Sequence, residues 1–248
     1  MAMSQKEIRI NLGSSDCGPM NWINIDSDIR FYLMHHTITR GMLKSIVRLG
    51  VLKSGADDLL VPPPNFLYVD LSKGRLHFAS NSVSYCYTSH FLEHLPRYRA
   101  SRLMTEVYRV LKSGGRVRVV VPDLEAVARA YVQKKTQCET TNNNLLDFEY
   151  PNLATPAQKL NAYFSKFADP TPGTTGLRGT IKRVFQGFFG QSLGHHWLYD
   201  FEDLEDLLAS AGFKDIRRES YGQGNFPDLC VLDIEGHRRE SLYVEAEK

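Results

Sequence analysis

The chain has 248 residues, 42% of them hydrophobic and 23% charged, which allows one large α/β core or a core with an insertion and excludes global disorder. A net charge of +2 argues against a nucleic-acid binder, with only a local patch such as Lys182-Arg183 left to consider. The four cysteines are far apart with no CxxC, no ~18-residue apolar run occurs, and MAMSQKEIRINLG holds no apolar leader segment, so reduced thiols, no membrane span and a cytoplasmic protein are expected.

Glu7 to Leu12 alternates and is rich in isoleucine, which predicts a first strand. It ends in Gly13-Ser14-Ser15-Asp16-Cys17-Gly18, a turn in which glycine lets the backbone approach a ligand. Trp22 to Ile25 reads as a second strand ended by Asp26, and an acid at that place can accept from both ribose hydroxyls of a nucleoside. Gly13 to Trp22 leaves room for a loop but hardly for a helix. One amphipathic helix is expected from about Thr39 to Arg48. The pair His35-His36 just before it lacks a carboxylate or cysteine at ligand spacing. Pro62-Pro63-Pro64 is a rigid joint, Phe66 to Val69 a third strand ending at Asp70-Leu71, and Phe78 to Ser82 a polar turn.

Val83 to Pro122 is the organising stretch. Val83 to Thr88 is β-branched and aromatic, which predicts a strand. Tyr98 to Leu111 carries Leu103, Met104, Val107, Val110 and Leu111 on one helical face, with Gly114-Gly115 as the stop. Arg116 to Val121 is a further strand, its apolar run broken by Arg118. Strand, helix and strand with short joints make a βαβ unit with parallel strands, and ligands of such sheets bind beyond the strands' carboxyl ends.

The runs SHFLEHLP (89–96) and EVYRVLKSGGRVRVVVPD (106–123), with INLGSS and WINID upstream, resemble the class I S-adenosylmethionine-dependent methyltransferases, in particular the methyltransferase type 11 branch. The resemblance covers roughly 8–28 and 66–134, and 195–246 less specifically. It implies an α/β, Rossmann-like seven-stranded sheet with flanking helices, the last strand antiparallel. It places Gly13, Ser15 and Asp26 against the cofactor, Asp70 and Leu71 beside its adenine, and Thr88 and Ser89 at its methionine moiety. His90, Glu93 and His94 would face or brace the pocket. The chain departs from the family in a reduced glycine loop and in Asn11, which stands where an acid is usual.

Asp123 to Val132 predicts a helix with Asp123 as N-cap, and Ala157 to Phe167 and Ile181 to Phe189 carry further aromatic faces. Residues 135–194 are expected to form a mostly helical insertion or lid over the carboxyl ends, with 1–134 and 195–248 as the methyltransferase domain. His195-His196-Trp197-Leu198-Tyr199-Asp200 leads into a helix, Phe201 to Ala211. Asp200 is its N-cap, Asp203 the second member of a capping box, and Gly212 its end. Two strands follow, Phe213 to Ser220 and Glu240 to Ala246.

The expected reaction is methyl transfer from S-adenosylmethionine to a small-molecule or sugar-type acceptor, at oxygen. A base for the acceptor hydroxyl would come from His90, His94, His196 or Asp123, and Trp197 or Tyr199 could stack on a ring. Two alternatives stand beside it. His90 to His94 spells H-x-x-E-H, a zinc hydrolase pattern in which two histidines share a helical face, but Pro96 follows within two residues and no metal ligands are assigned. The degenerate glycine loop also suits a non-catalytic protein that binds a nucleoside or a partner.

Overall fold

The computed structural model describes residues 7–15, 18–27, 64–136, 144–164 and 195–248. The helix expected from Thr39 to Arg48, the His35-His36 pair, Lys182-Arg183, Ile181 to Phe189, Cys17, Cys138 and much of the 135–194 insertion lie outside those residues.

Seven strands form one sheet: β1 (Ile8–Leu12), β2 (Ile23–Asp26), β3 (Phe66–Tyr68), β4 (Val83–Ser89), β5 (Leu111–Pro122), β6 (Lys214–Glu219) and β7 (Ser241–Glu247). Their order is β3-β2-β1-β4-β5-β7-β6. The first five are parallel, whereas β7 runs antiparallel to both of its neighbours. The described helices are α1 (Arg97–Val110), α2 (Leu124–Thr136), α3 (Leu145–Glu149), α4 (Pro156–Phe164), α5 (Phe201–Ala211) and α6 (Leu229–Leu232). No described helix is long and apolar enough to cross a membrane.

Strand alternation divides the core into two faces, because successive side chains point to opposite sides of a sheet. Cys86, Val117, Val119, Val121, Leu242 and Val244 face α1 and α5, which bring Leu103, Met104, Val107, Leu204 and Leu208 into the main cluster. Burial of each such side chain contributes roughly 1.5–3 kcal/mol against exposure. Tyr87, Val120 and Tyr243 face the other way, onto Trp22, Phe226 and Leu232. Among the described residues, that face is closed by the excursion between β6 and β7. A satellite cluster joins α2, α3 and α4 through Val127, Ala130, Leu146 and Tyr163.

Arg118 belongs to the second face, and its guanidinium is fully buried. It donates to Asp233 at 3.1 and 2.6 Å, to Glu245 at 2.7 Å, and to the carbonyls of Ser220 and Gln223. The charge that interrupts the apolar run is thus what ties the excursion to the sheet.

Two local expectations are corrected. Gly114-Gly115 does not end α1, which stops at Val110 as Leu111 turns to extended geometry and enters β5. The glycines instead sit in an irregular stretch of β5, where the partner of β4 jumps from Leu111 to Arg116. Gly114 is left-handed, and a Cβ on Gly115 would come within 2.9 Å of the Lys112 carbonyl. In α5, Asp200 accepts from the Asp203 N–H as an N-cap should. The Asp203 carboxylate, however, accepts from Arg97 and from Trp197 Nε1, in place of its reciprocal bond in a capping box.

The EVYR segment that carries much of the resemblance has a structural role. Glu106 accepts from the Leu76 N–H and from Arg109, and Arg109 also donates to the Leu76 and Phe78 carbonyls and to Ser80. Together they pin the turn that leads into β4. The hydrogen bond from Arg109 holds the Glu106 carboxyl below its ordinary value of 4.5. A carboxylate with a depressed folded pKa stabilises fully above its ordinary value and loses that contribution as pH falls through the folded one. Thermal unfolding across the acid range is expected to show this loss below about pH 4.5, and Glu106→Gln to flatten it. An unchanged acid limb in the variant would refute the assignment.

Candidate functional site at the carboxyl edge of the sheet

The parallel strands deliver Gly13, Asp26, Asp70, Ser89 and Asp123 to one edge, and antiparallel β7 starts there with Ser241 opposite Pro122. At the end of β1, Gly13 is left-handed with φ +68°. Its N–H and that of Ser14 donate to the Ile25 carbonyl, and the Ser15 N–H donates to Asp26 Oδ2 at 2.8 Å. The turn and the acid are therefore one unit. Asn11, where an acid is usual, is buried and donates to Asn24 Oδ1. Asn24 in turn donates to the Pro19 and Pro64 carbonyls, so this amide pair supports the loop from beneath. Gly18 is required beside it, since a Cβ there would lie 1.9 Å from Asn24 Oδ1.

At the end of β4, Thr88 is buried, and its hydroxyl and that of Ser14 meet no hydrogen-bond partner among the described residues. Asp70 caps the short turn Leu71–Lys73, accepting from the Ser72 N–H and hydroxyl. Leu71 has no exposed surface and packs in the main core, which corrects its expected place beside an adenine.

His90 to His94 does not form a helix. His90 is left-handed with φ +49°, and only Leu92–His94 closes a 3-10 turn. The two histidines therefore part company rather than sharing a helical face. His90 Nε2 lies 2.8 Å from Ser241 Oγ, and its ring stacks on His237 at 4.0 Å. His94 turns toward His195, with ring centroids 5.4 Å apart. Glu93 lies between them, fully buried, with Oε1 3.5 Å from His90 Nδ1 and 3.8 Å from His94 Nε2. Phe91 packs on Gly13 so closely that a Cβ there would lie 2.6 Å from the phenyl group.

The run from His195 to Asp200 closes over this loop. The N–H groups of His196 and Trp197 both donate to the Glu93 carbonyl. The His196 side chain itself is exposed. Trp197 is fixed to Asp203 and lies under Arg97, while Tyr199 is fully buried in the main core and cannot stack on a substrate ring. Asp123 is corrected as a candidate base. Its carboxylate caps α2 through the Ala126 N–H and pairs with Arg218 at 2.7 Å. Sequence reasoning missed Ser241 and His237, which reach the site from the far side of the β6–β7 excursion and carry no local motif.

A family model described as a methyltransferase domain matches residues 53–119. That match spans the turn held by Glu106, the loop His90 to His94 and most of β5, within a sheet whose last strand alone reverses among its central pairs. Residues 53–119 thus match a methyltransferase domain, and the seven-stranded mixed sheet with flanking helices has the Rossmann-like methyltransferase fold. The methyltransferase from Archaeoglobus fulgidus is similar over 98% of this chain and 87% of its own, at 14% identity and TM-score 0.44. A possible histamine N-methyltransferase from Thermotoga maritima is similar over 97% and 82%, at 13% identity and TM-score 0.44. The methyltransferase SibL is similar at 13% identity and TM-score 0.40 over 98% of this chain, which spans 50% of its length, and 58% of the length of PigF. Among curated proteins, none matches the sequence.

The domain match supports S-adenosylmethionine as the cofactor. The strand ends fit it in kind. They offer an acid joined to a left-handed glycine turn, and two buried hydroxyls at adjacent strand ends that meet no partner among the described residues.

Proposed function

We propose that this methyltransferase acts on a hydroxyl of a small-molecule or sugar-type acceptor. The observation that carries the proposal is the unit of Gly13, Ser15 and Asp26 at one strand end, beside a histidine already bonded to a hydroxyl at the next. Asp26 would hold the ribose, with the Gly13 turn and the backbone at Thr88 and Ser89 against the amino-acid end. Bound there, S-adenosylmethionine supplies an electrophilic methyl group. His90 is the residue suited to take the acceptor proton, because its Nε2 already accommodates the Ser241 hydroxyl and its ring is held by His237. Alignment by a closed loop can lower such a barrier by about 7–11 kcal/mol in favourable cases. His196, by contrast, contributes its backbone to the loop's closure.

A second reading, nucleoside binding without turnover, is favoured by Phe91, which crowds the face of Gly13. Calorimetric titration with S-adenosylmethionine and S-adenosylhomocysteine decides between them. Saturable binding is expected, weakened about 10–100-fold in Asp26→Ala, as loss of a charged hydrogen-bond acceptor implies. Binding without methyl transfer to any hydroxyl acceptor would support the second reading. A folded protein that shows neither heat nor thermal stabilisation would overturn both.

A further inference from the structure

We infer that Glu93, His94 and His195 form a binding site for a divalent transition-metal ion of the zinc class. One ligand atom from each lies within 4.8 Å of those of the other two. Glu93 supplies the independent observation. Its residue has no exposed surface, and both carboxylate oxygens lack a hydrogen-bond partner among the described residues. A buried carboxylate is retained when it is paired or holds a cation. Among the described residues, the His90 and His94 imidazoles lie 3.5 and 3.8 Å from Glu93 Oε1, beyond the usual N–H···O length, and Tyr163 and Tyr199 also face its charge.

Two imidazoles and one carboxylate suit a borderline cation, and three protein ligands leave at least one coordination position open. The site is not the zinc pattern spelled by His90 to His94. His90 engages Ser241 through Nε2 and stacks on His237 while its Nδ1 lies 3.5 Å from Glu93 Oε1, Glu93 changes from base to ligand, and the third ligand comes from 101 positions beyond His94. The fold also fixes the distant ligand. The N–H groups of His196 and Trp197 donate to the Glu93 carbonyl, which holds the backbone after His195 against the loop that carries the other two ligands. Tyr163 packs edge-on against the His195 ring at 5.9 Å. The site does not use Asp26 or Gly13, so it stands whether or not the cofactor binds.

The test is titration of chelator-treated full-length protein with Zn²⁺ by calorimetry and with Co²⁺ by visible absorption, which reports the ligand field directly. A His35→Ala/His36→Ala background removes the adjacent pair that the sequence offers as a rival. One ion per chain is expected, with the Co²⁺ spectrum of a low-coordinate nitrogen and oxygen site. Glu93→Gln and His195→Ala should each weaken binding by at least the ~10–100-fold that follows loss of a supporting group around a metal. Folding of each variant is checked by circular dichroism, and His94→Ala replaces any that does not fold. No binding by the background protein, or equal binding by the folded variants, overturns the inference.

Discussion

Replacing Arg118 by leucine is expected to lower the unfolding free energy by about 3–5 kcal/mol, a large share of the stability of a typical domain. The loss comes less from the missing attraction than from what remains. Asp233 and Glu245 are both buried, and without the guanidinium they face each other's side of an apolar layer. Lysine should not rescue, because one ammonium cannot reproduce the fork that reaches two carboxylates and two carbonyls. Urea unfolding followed by the fluorescence of Trp22, which stacks on Phe226 of the same excursion, measures the effect. Adding Asp233→Leu and Glu245→Leu to the leucine variant should recover much of the loss, since it removes the uncompensated charges. If Arg118→Leu alone costs less than about 1 kcal/mol, the buried network is not what fastens the excursion.

Gly13→Ala is expected to destabilise by about 2–5 kcal/mol, from two separable causes. A left-handed alanine costs roughly 1–2 kcal/mol. The new methyl group would also meet the Phe91 side chain at 2.6 Å, and such overpacking typically costs about 1–3 kcal/mol. The causes are told apart by a double-mutant cycle with Phe91→Ala, in which the second substitution should relieve the steric part and leave the backbone part. Strict additivity of the two single effects would mean that Phe91 does not limit the space over Gly13. Both effects precede any ligand, so the cofactor reading gains nothing from a Gly13 variant that merely unfolds.

Much of the sheet was legible because strands and helices here obey their own periods. Leu103, Met104 and Val107 mark the buried face of α1, and Asp200 and Gly212 bound α5 as capping chemistry requires. What escaped was information held at long range. Arg118 reads as an interruption because its carboxylates lie 115 and 127 positions away. Gly114-Gly115 follows a helical run and so reads as its stop, although the pairing of β4 with Leu111 had already drawn the chain into the sheet. The i, i+4 spacing of His90 and His94 implies a shared face only within a helix, and the left-handed His90 lies outside one. Of the candidate site, the glycine turn and Asp26 could be read from strand ends. The pairing of His94 with His195 could not, since nothing local links them.

The placement of β7 bears on how the chain is made. It is the last of the seven strands in sequence, yet it lies between β5 and β6. As the chain emerges during synthesis, β5 has an unpaired edge carrying Val117, Val119 and Val121 until residues 241–247 arrive. Glu245 of that strand is also a partner of Arg118, so the buried cation waits for the same event. Non-local pairing of this kind is slow and leaves apolar edges open to neighbours.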